Sequence, residues 1–302
     1  MEKYYEKLLK ELKKRDDIFI CGPSYKDTKL RAYAYGGLLC KIPTAGGNLS
    51  MPSPNYCRWA SEETRSELER VLGKNEKQGE ERVQLLLDHL KNILEAMQGR
   101  FSKASGKAKE RGIQNIIACS HTGFAGPDHT VICDWESSIP RKYYTHADEQ
   151  GKEKVPHFDM IAFSSDGGQG VFSIIELKCN QRACSGSSGL AVHAQDMVNC
   201  ERLGDWYKEY LMGRLKNMLQ YQLLADVPDH LDGILQHPER IGLRKCFLFV
   251  SVDGLMSRGK ISKLCQKLDM AHDFFYCFAE SLEAVGLSHT HMESWETFCE
   301  NK

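Results

Sequence analysis

Two charged residues interrupt an apolar stretch in the middle of the chain. Residues 171–180 read VFSIIELKCN, in which Glu176 and Lys178 follow a run of β-branched and aromatic residues that predicts a buried strand. Because side chains alternate between the two faces of a strand, Glu176 and Lys178 share one face. Burying such a pair costs several kcal/mol of desolvation, so the pair indicates chemistry; a structural salt-bridge cluster at a sheet edge is the alternative.

Asp159 supplies a second carboxylate. It belongs to the predicted strand VPHFDMIAFSS, and the residues DGGQG between this strand and VFSIIELK predict a hairpin. Asp159 and Glu176 would then converge from paired antiparallel strands and repel each other unless a cation lay between them. Mg²⁺ prefers such oxygen ligands, with Mn²⁺ as the alternative. We expect Asp159, Glu176 and the main-chain carbonyl of Leu177 to hold the metal, and Lys178 to orient a metal-activated water or stabilise developing charge.

With HFD at 157–159 and ELK at 176–178, the sequence resembles the PD-(D/E)XK nuclease superfamily, although Phe158 stands where that family often has proline. The resemblance covers about residues 80–252. It implies a restriction-endonuclease-like α/β (α+β) fold, in which a mixed central sheet in αβββαβ order is flanked by helices. It also implies a nuclease with Asp159, Glu176 and Lys178 as catalytic residues, Mg²⁺ or Mn²⁺ as cofactor and nucleic acid, DNA first, as substrate. A non-catalytic nucleic-acid-binding or regulatory protein on the same fold is the alternative.

Two helical features of the superfamily have partial counterparts. RecB-like members carry Gln-x-x-x-Tyr after the E-x-K strand, and NMLQY puts Asn217 and Tyr221 four residues apart on one helical face, with Asn in place of Gln. A core position for Tyr221 is the alternative. The superfamily often has an acidic residue on its first core helix, for which Glu81 and Glu95 are candidates; a solvated position is the alternative for both.

Candidates for phosphate binding follow the E-x-K strand. Arg182, Ser187 and His193 lie in or beside the small-residue loop SGSSG and the helix predicted after it, whose first N–H groups could bind phosphate. A flexible connection is the alternative. The basic segment RFSKASGKAKERG at 100–112 indicates a solvated linker or, alternatively, a phosphate-contacting loop.

The remaining patterns predict the elements that position these residues. Helical periodicity predicts helices at residues 1–16, 61–72 and 80–98, in LAVHAQDMVNCERL and DWYKEYLMGRLKNMLQYQLLA, and in one long helix ISKLCQKLDMAHDFFYCFAESLEAVG. QNIIACS, HTVICDWESS and RKCFLFVSVDG predict strands, and residues 17–60 predict short strands or loops. We divide the chain into an N-terminal extension of unknown role, 1–79, and a nuclease-like domain, 80–302.

Composition narrows the function classes. Of the 302 residues 27% are charged and the net charge is −1, so bulk electrostatics argue neither for nor against nucleic acid. Twelve cysteines without a CxxC pair argue against a zinc site and suggest reduced thiols. The charged N-terminus and the lack of an apolar run of membrane-spanning length predict a cytoplasmic protein with no membrane partner. A homodimer would suit cleavage of two strands.

Two other enzyme classes have less support. Cys119, His121, Asp128 and His129 could form a Cys/His nucleophile, but no orienting turn accompanies them. The chain has no GxxxxGK[ST] motif for an ATPase.

Overall fold

The structure is a computed structural model of the chain. It describes all residues except 24–27, 74–76, 126–128, 140–145, 148–152, 167, 185–188, 253, 255, 269–270, 289–290 and 301–302. The chain divides into two compact units, Met1–Ser120 and His121–Lys302. Among the described residues, no helix combines the length and the apolar composition that crossing a membrane requires.

The first unit combines an antiparallel sheet with helices. Its strands are β1 (Ile18–Cys21), β2 (Lys29–Ala34) and β3 (Gly37–Pro43), and its helices are α1 (Lys3–Leu12), α2 (Glu62–Leu72), α3 (Gly79–Asp88), α4 (Leu90–Ser102) and α5 (Gly106–Ser120). The β2–β3 turn contains Gly36 at φ +75°, where a Cβ would lie 2.5 Å from the backbone nitrogen of Gly112. Glycine at this turn therefore permits both the left-handed backbone and close packing of α5.

Three expectations for this unit change. QNIIACS is the last part of helix α5, not a strand, because Ile113 and Ile117 at helical spacing are both buried. The helix predicted over 80–98 is divided into α3 and α4 at His89, whose backbone angles are φ −110° and ψ 8°. The basic segment 100–112 contains the end of α4 and the start of α5. The helix predicted at 61–72 is present as α2, with Ser61 at its N-cap position.

The second unit contains a mixed sheet. Its strands are β4 (Thr130–Ser138), β5 (His146–Ala147), β6 (Glu153–Lys154), β7 (His157–Asp166), β8 (Gln169–Lys178), β9 (Ile241–Val250) and β10 (Phe275–Ala279), and its helices are α6 (Leu190–Glu201), α7 (Asp205–Gln220), α8 (Leu231–Leu235), α9 (Arg258–Cys265) and α10 (Trp295–Glu300). Within the described residues, five strands form one sheet in the order β10-β9-β8-β7-β4, and β5 and β6 form a separate ribbon. The mixed α/β class is therefore confirmed.

The sheet changes direction at β8. Strands β4, β7 and β8 pair antiparallel, whereas β8, β9 and β10 run parallel. The hairpin predicted from DGGQG is present, with Asp166 opposite Gln169 at its end. Because β7 and β8 are antiparallel, β7 begins beside the point where β8 ends. The first residues of β7 and the last residues of β8 therefore lie together at the edge of the sheet formed by these strand ends.

The prediction of one long helix near the C-terminus is wrong. Helix α9 ends at Cys265, and the following FYCFA forms strand β10, which pairs with β9. Aromatic residues favour strands, and both faces of β10 are covered, since Tyr276 on one face and Cys277 and Ala279 on the other are buried. Strand β10 also covers the edge of β9, which would otherwise expose unpaired backbone groups.

The register places side chains in two rows on one face of the sheet. Glu176 lies opposite Phe247, which lies opposite Tyr276; Lys178 lies opposite Phe249, which lies opposite Phe278. Paired residues of parallel strands direct their side chains to the same face. The two charged residues of β8 therefore share a face with the aromatic side chains of β9 and β10.

Candidate functional site

Glu176 and Lys178 form a buried ion pair at the end of β8. Their side chains are 3% and 4% exposed, and Lys178 Nζ donates a hydrogen bond to Glu176 Oε1 at 2.6 Å. The two residues share a face as strand alternation predicts. The strand brings both charges into the protein interior, where electrostatic interactions are stronger than in water.

Asp159 lies on the neighbouring strand at the same edge. Its Oδ2 accepts a hydrogen bond from the backbone N–H of Leu177 at 2.7 Å. Regular β7–β8 pairing extends to Met160 opposite Ile175, so the Asp159 carboxylate takes a main-chain donor just beyond the ladder. This bond holds Asp159 against the residue that separates Glu176 from Lys178. The three residues predicted to act together are therefore adjacent in the structure.

His193 adds a contact to Glu176. It lies in the first turn of α6, its side chain is 21% exposed, and its Nε2 is 3.1 Å from Glu176 Oε1. Lys178 and His193 therefore approach the same carboxylate oxygen. The sequence suggested phosphate binding for His193 and contained no sign of this contact, which depends on how α6 packs over the sheet.

The other predicted phosphate ligands are Arg182 and Ser187. Arg182 is an exposed residue of the short 3₁₀ helix Gln181–Cys184, which begins where Asn180 Oδ1 accepts the N–H of Ala183 at 2.9 Å. Ser187 lies outside the described residues. The role of both in phosphate binding stays a prediction.

Asn217 and Tyr221 lie at the C-terminal end of α7. Both are half-buried, and the Tyr221 N–H bonds to the Asn217 carbonyl at 3.1 Å. Shortly after α7, the Ala225 carbonyl accepts the N–H of Phe124, which precedes β4. The start of β4 pairs with residues near Ser164, close to the end of β7, whereas Asp159 lies near the start of β7. The end of α7 therefore lies toward the strand ends that are farther from Asp159. A supporting role for this pair stays a prediction.

The acidic candidates of the predicted first core helix belong to the first unit. Glu81 lies on α3 and Glu95 on α4, both at exposed positions. Glu95 Oε1 is 3.9 Å from Lys91 Nζ in a solvent-exposed pair. Such pairs contribute at most about 1 kcal/mol, so this contact identifies no special environment.

A second buried ion pair was missed by sequence reasoning. Asp134 of β4 and Arg214 of α7 are each 2% exposed, and Arg214 Nη2 donates to Asp134 Oδ1. Asp134 lies opposite Ile161 of β7, two residues from Asp159. The signal available in the sequence was an aspartate inside the apolar run VICDW. The pair fixes α7 to the sheet beside the candidate site.

The thiol alternative loses support from the environment of Cys119. Burial, followed by the charges of Asp17 and Asp16, raises the pKa of the Cys119 thiol to about 12. A thiol with this pKa is protonated at neutral pH and is a weak nucleophile. Asp128, the carboxylate of the same set, lies outside the described residues, and His129 Nδ1 is 3.0 Å from the Phe124 carbonyl.

The oxygen donors at the edge suit a hard divalent cation. Mg²⁺ is commonly held by one or two carboxylates and keeps several waters, which matches Asp159 and Glu176 on adjacent strands. Within the described part of the chain, no cluster of three or more His, Cys, Asp or Glu side chains could hold a metal ion. A cation here would therefore depend on two carboxylates, a main-chain carbonyl and water.

Comparisons with protein-family models, curated proteins and solved structures gave no match to this chain. The function of the site is therefore argued from its own residues. All twelve cysteines, each of which the structure describes, are free of disulfides.

Proposed function

We propose that the chain is a metal-dependent nuclease that hydrolyses phosphodiester bonds of DNA or RNA on a restriction-endonuclease-like fold. The observation that carries the proposal is the open end of the β7–β8 hairpin, where β7 begins and β8 ends. There the Asp159 carboxylate, held by the Leu177 N–H, lies beside a Glu176–Lys178 pair that is almost completely buried. Phosphodiester hydrolysis can use two carboxylates as metal ligands and an ammonium group to stabilise negative charge, and these three groups lie together here.

Each residue has a role in this proposal. Asp159, Glu176 and the Leu177 carbonyl would hold Mg²⁺ or Mn²⁺, which when bound acidifies a water and neutralises charge on the phosphate. The Leu177 N–H fixes the direction of the Asp159 carboxylate. Lys178 and His193 hold Glu176 through Oε1. In this proposal Lys178 also donates a hydrogen bond to the attacking water or to a phosphate oxygen.

Energetics favour a chemical role for the buried pair. Removing two charges from water costs several kcal/mol per ion, and apolar residues of similar volume often serve stability as well or better. Phe247 and Phe249, the residues opposite Glu176 and Lys178, show that this face accepts apolar side chains. Charges at these positions are therefore better explained by reactivity than by folding.

The proposal is tested by cleavage of labelled single- and double-stranded DNA and RNA in Mg²⁺, Mn²⁺ or EDTA. We expect metal-dependent cleavage by the wild type and a loss of at least about 100-fold in Asp159→Asn and Glu176→Gln, because each removes charge from the metal site. Glu201→Gln is the matched control, since Glu201 is a half-exposed carboxylate of α6 that pairs with Lys245. It should cleave like the wild type.

Two results would contradict this proposal, one for the site and one for the activity. Cleavage retained in both Asp159→Asn and Glu176→Gln would place the chemistry elsewhere. No cleavage of any substrate by folded wild type, with equal nucleic-acid binding in the two variants, would instead indicate the non-catalytic binding protein.

A further inference from the structure

A large cavity lies where strands β9 and β10 end. It has a volume of about 930 Å³ and is lined in part by Ser251, Met256, Ser257, Arg258, Phe278 and Glu280. Volumes of several hundred Å³ are typical of sites that bind small molecules. The cavity lies outside the carboxyl ends of parallel strands, where ligands bind in open α/β sheets.

The register connects this cavity to the proposed catalytic edge. Phe278, which forms part of its wall, occupies the same cross-strand row as Phe249 and Lys178. Neighbouring strands are about 4.8 Å apart, so Phe278 lies about 10 Å from Lys178 across the sheet. The cavity therefore lies on the same face and the same edge as Glu176, within the length of one or two nucleotide units.

The lining combines three kinds of group. Phe278 and Met256 present an aromatic ring and a thioether, which suit the face of a nucleobase. Ser257 and Arg258 present a hydroxyl and a guanidinium, which suit phosphate oxygens. Glu280 is an exposed carboxylate that can accept hydrogen bonds from amino or hydroxyl groups of a base or sugar.

Arg258 is held in place before any ligand binds. Its Nη1 and Nη2 donate to the two carboxylate oxygens of Glu293, the latter at 2.8 Å, and its guanidinium lies 4.9 Å from the ring centre of Phe298 and 5.9 Å from that of Phe278. A fixed side chain loses little conformational freedom on binding. Ser251 Oγ donates to the Met256 carbonyl at 3.0 Å and so joins the residue that follows β9 to the residue that precedes the N-cap of α9.

We infer that this cavity binds one nucleoside phosphate unit of the substrate, adjacent to the phosphodiester cleaved at Glu176 and Lys178. The inference rests on the proposed nuclease function for its biological meaning. Its chemistry is that of a nucleotide, which an oligonucleotide chain or a free mononucleotide could supply.

Ser257 permits a test that changes charge without harming the fold. It is the N-cap residue of α9, and its side chain makes no capping hydrogen bond. Aspartate is a favourable N-cap residue, and its charge is stabilising at a helix N-terminus, so Ser257→Asp should fold at least as well as the wild type. It would place a negative charge in the cavity. Ser257→Asn is the matched neutral variant.

Gly259 permits a second test by volume. It lines the cavity, and a Cβ added there would meet no atom within 4 Å. Leucine also has a higher helix propensity than glycine. Gly259→Leu should therefore fill part of the cavity with little cost to folding.

The first measurement is steady-state cleavage of the best oligonucleotide substrate by the wild type, Ser257→Asp, Ser257→Asn and Gly259→Leu. We expect KM to rise about 10-fold or more in Ser257→Asp and Gly259→Leu, with kcat within about 3-fold, and to rise by a smaller factor in Ser257→Asn, which replaces the hydroxyl without adding a charge. Wild-type KM in both of the first two variants, with cleavage intact, would overturn the cavity assignment and leave the nuclease proposal standing.

The second measurement is titration of the same proteins with the four nucleoside 5′-monophosphates and with inorganic phosphate by calorimetry. Saturable wild-type binding that is weakened about 10-fold in Ser257→Asp and in Gly259→Leu supports the site, even if no substrate is cleaved. Absence of mononucleotide binding together with unchanged oligonucleotide KM would overturn it. If only the oligonucleotide KM changes, the site is supported as one that reads the polymer and not the free nucleotide.

Discussion

Replacing Lys178 by methionine should destabilise the second unit strongly in the absence of metal. The pair it forms with Glu176 is short, at 2.6 Å, and the two side chains are 4% and 3% exposed. Methionine preserves most of the side-chain length and removes the charge. The Glu176 carboxylate then stays buried, in contact with His193 Nε2.

The expected size of the effect follows from the burial. Removing one partner of a buried ion pair costs about 3–5 kcal/mol, because the other charge is left in a low-dielectric environment. Replacing both charges by apolar groups is often neutral or stabilising. The double variant Glu176→Leu/Lys178→Met should therefore recover most of the stability lost in Lys178→Met, while it loses the proposed activity completely.

Urea unfolding followed by tryptophan fluorescence measures this difference. Three of the four tryptophans belong to the second unit: Trp135, Trp206 and Trp295. Glu296→Gln is the control, because Glu296 forms an ion pair with His272 in which both side chains are more than half exposed. Exposed pairs contribute at most about 1 kcal/mol, so this variant should unfold close to the wild type.

Two results would refute the reasoning. If Lys178→Met unfolds within about 1 kcal/mol of the wild type, the buried pair does not have the strong electrostatic coupling that its burial implies. If the double variant is as unstable as the single one, the loss comes from packing and not from an isolated charge. Added Mg²⁺ should raise the stability of Lys178→Met more than that of the double variant, because only the single variant keeps the Glu176 carboxylate.

Two other predictions concern groups outside this pair. Arg214→Leu should lower the unfolding free energy of the second unit by about 3–5 kcal/mol, since Asp134 and Arg214 are both 2% exposed, and an unchanged urea midpoint would contradict this. Burial, with Asp17 nearby, raises the pKa of Tyr35 to about 12, so its contribution to stability is complete below about pH 10 and is lost as pH rises toward 12. Tyr35→Phe should therefore lose less stability than the wild type across this pH range in urea titrations, and equal losses would contradict the assignment.

Much of the arrangement of Asp159, Glu176 and Lys178 at the open end of the β7–β8 hairpin could be predicted, because it depends on the alternation of side chains along each strand and on the turn that joins the two strands. Alternation along a strand places Glu176 and Lys178 on one face, and the DGGQG turn pairs their strand with that of Asp159. Both rules use residues within about twenty positions of each other. The Leu177 N–H to Asp159 bond is a consequence of that pairing.

The features that could not be predicted depend on packing over longer distances. The contact of His193 with Glu176 requires α6 to lie over the sheet, and the pairing of Asp134 with Arg214 joins residues 80 positions apart. Strand β10 was hidden because FYCFA follows a helical pattern, and only the uncovered edge of β9 makes a strand there favourable. The separation of α3 from α4 at His89 also lacks a glycine or proline as a signal.

The stability and cleavage experiments become decisive when they are read together. If the salt bridge serves folding, the Glu176→Leu/Lys178→Met variant should be unstable, and added Mg²⁺ should not change the stability of the Lys178→Met variant. A site kept for chemistry gives the opposite pattern, in which the charge-free variant is stable but inactive, because residues at functional sites are commonly not the most stabilising ones. The neighbouring Phe247 and Phe249 make this contrast available within one sheet, since the next strand has apolar residues at the same two levels. The cost of burying Glu176 and Lys178, at levels where the next strand has phenylalanine, is therefore the main physical argument for the proposed reaction.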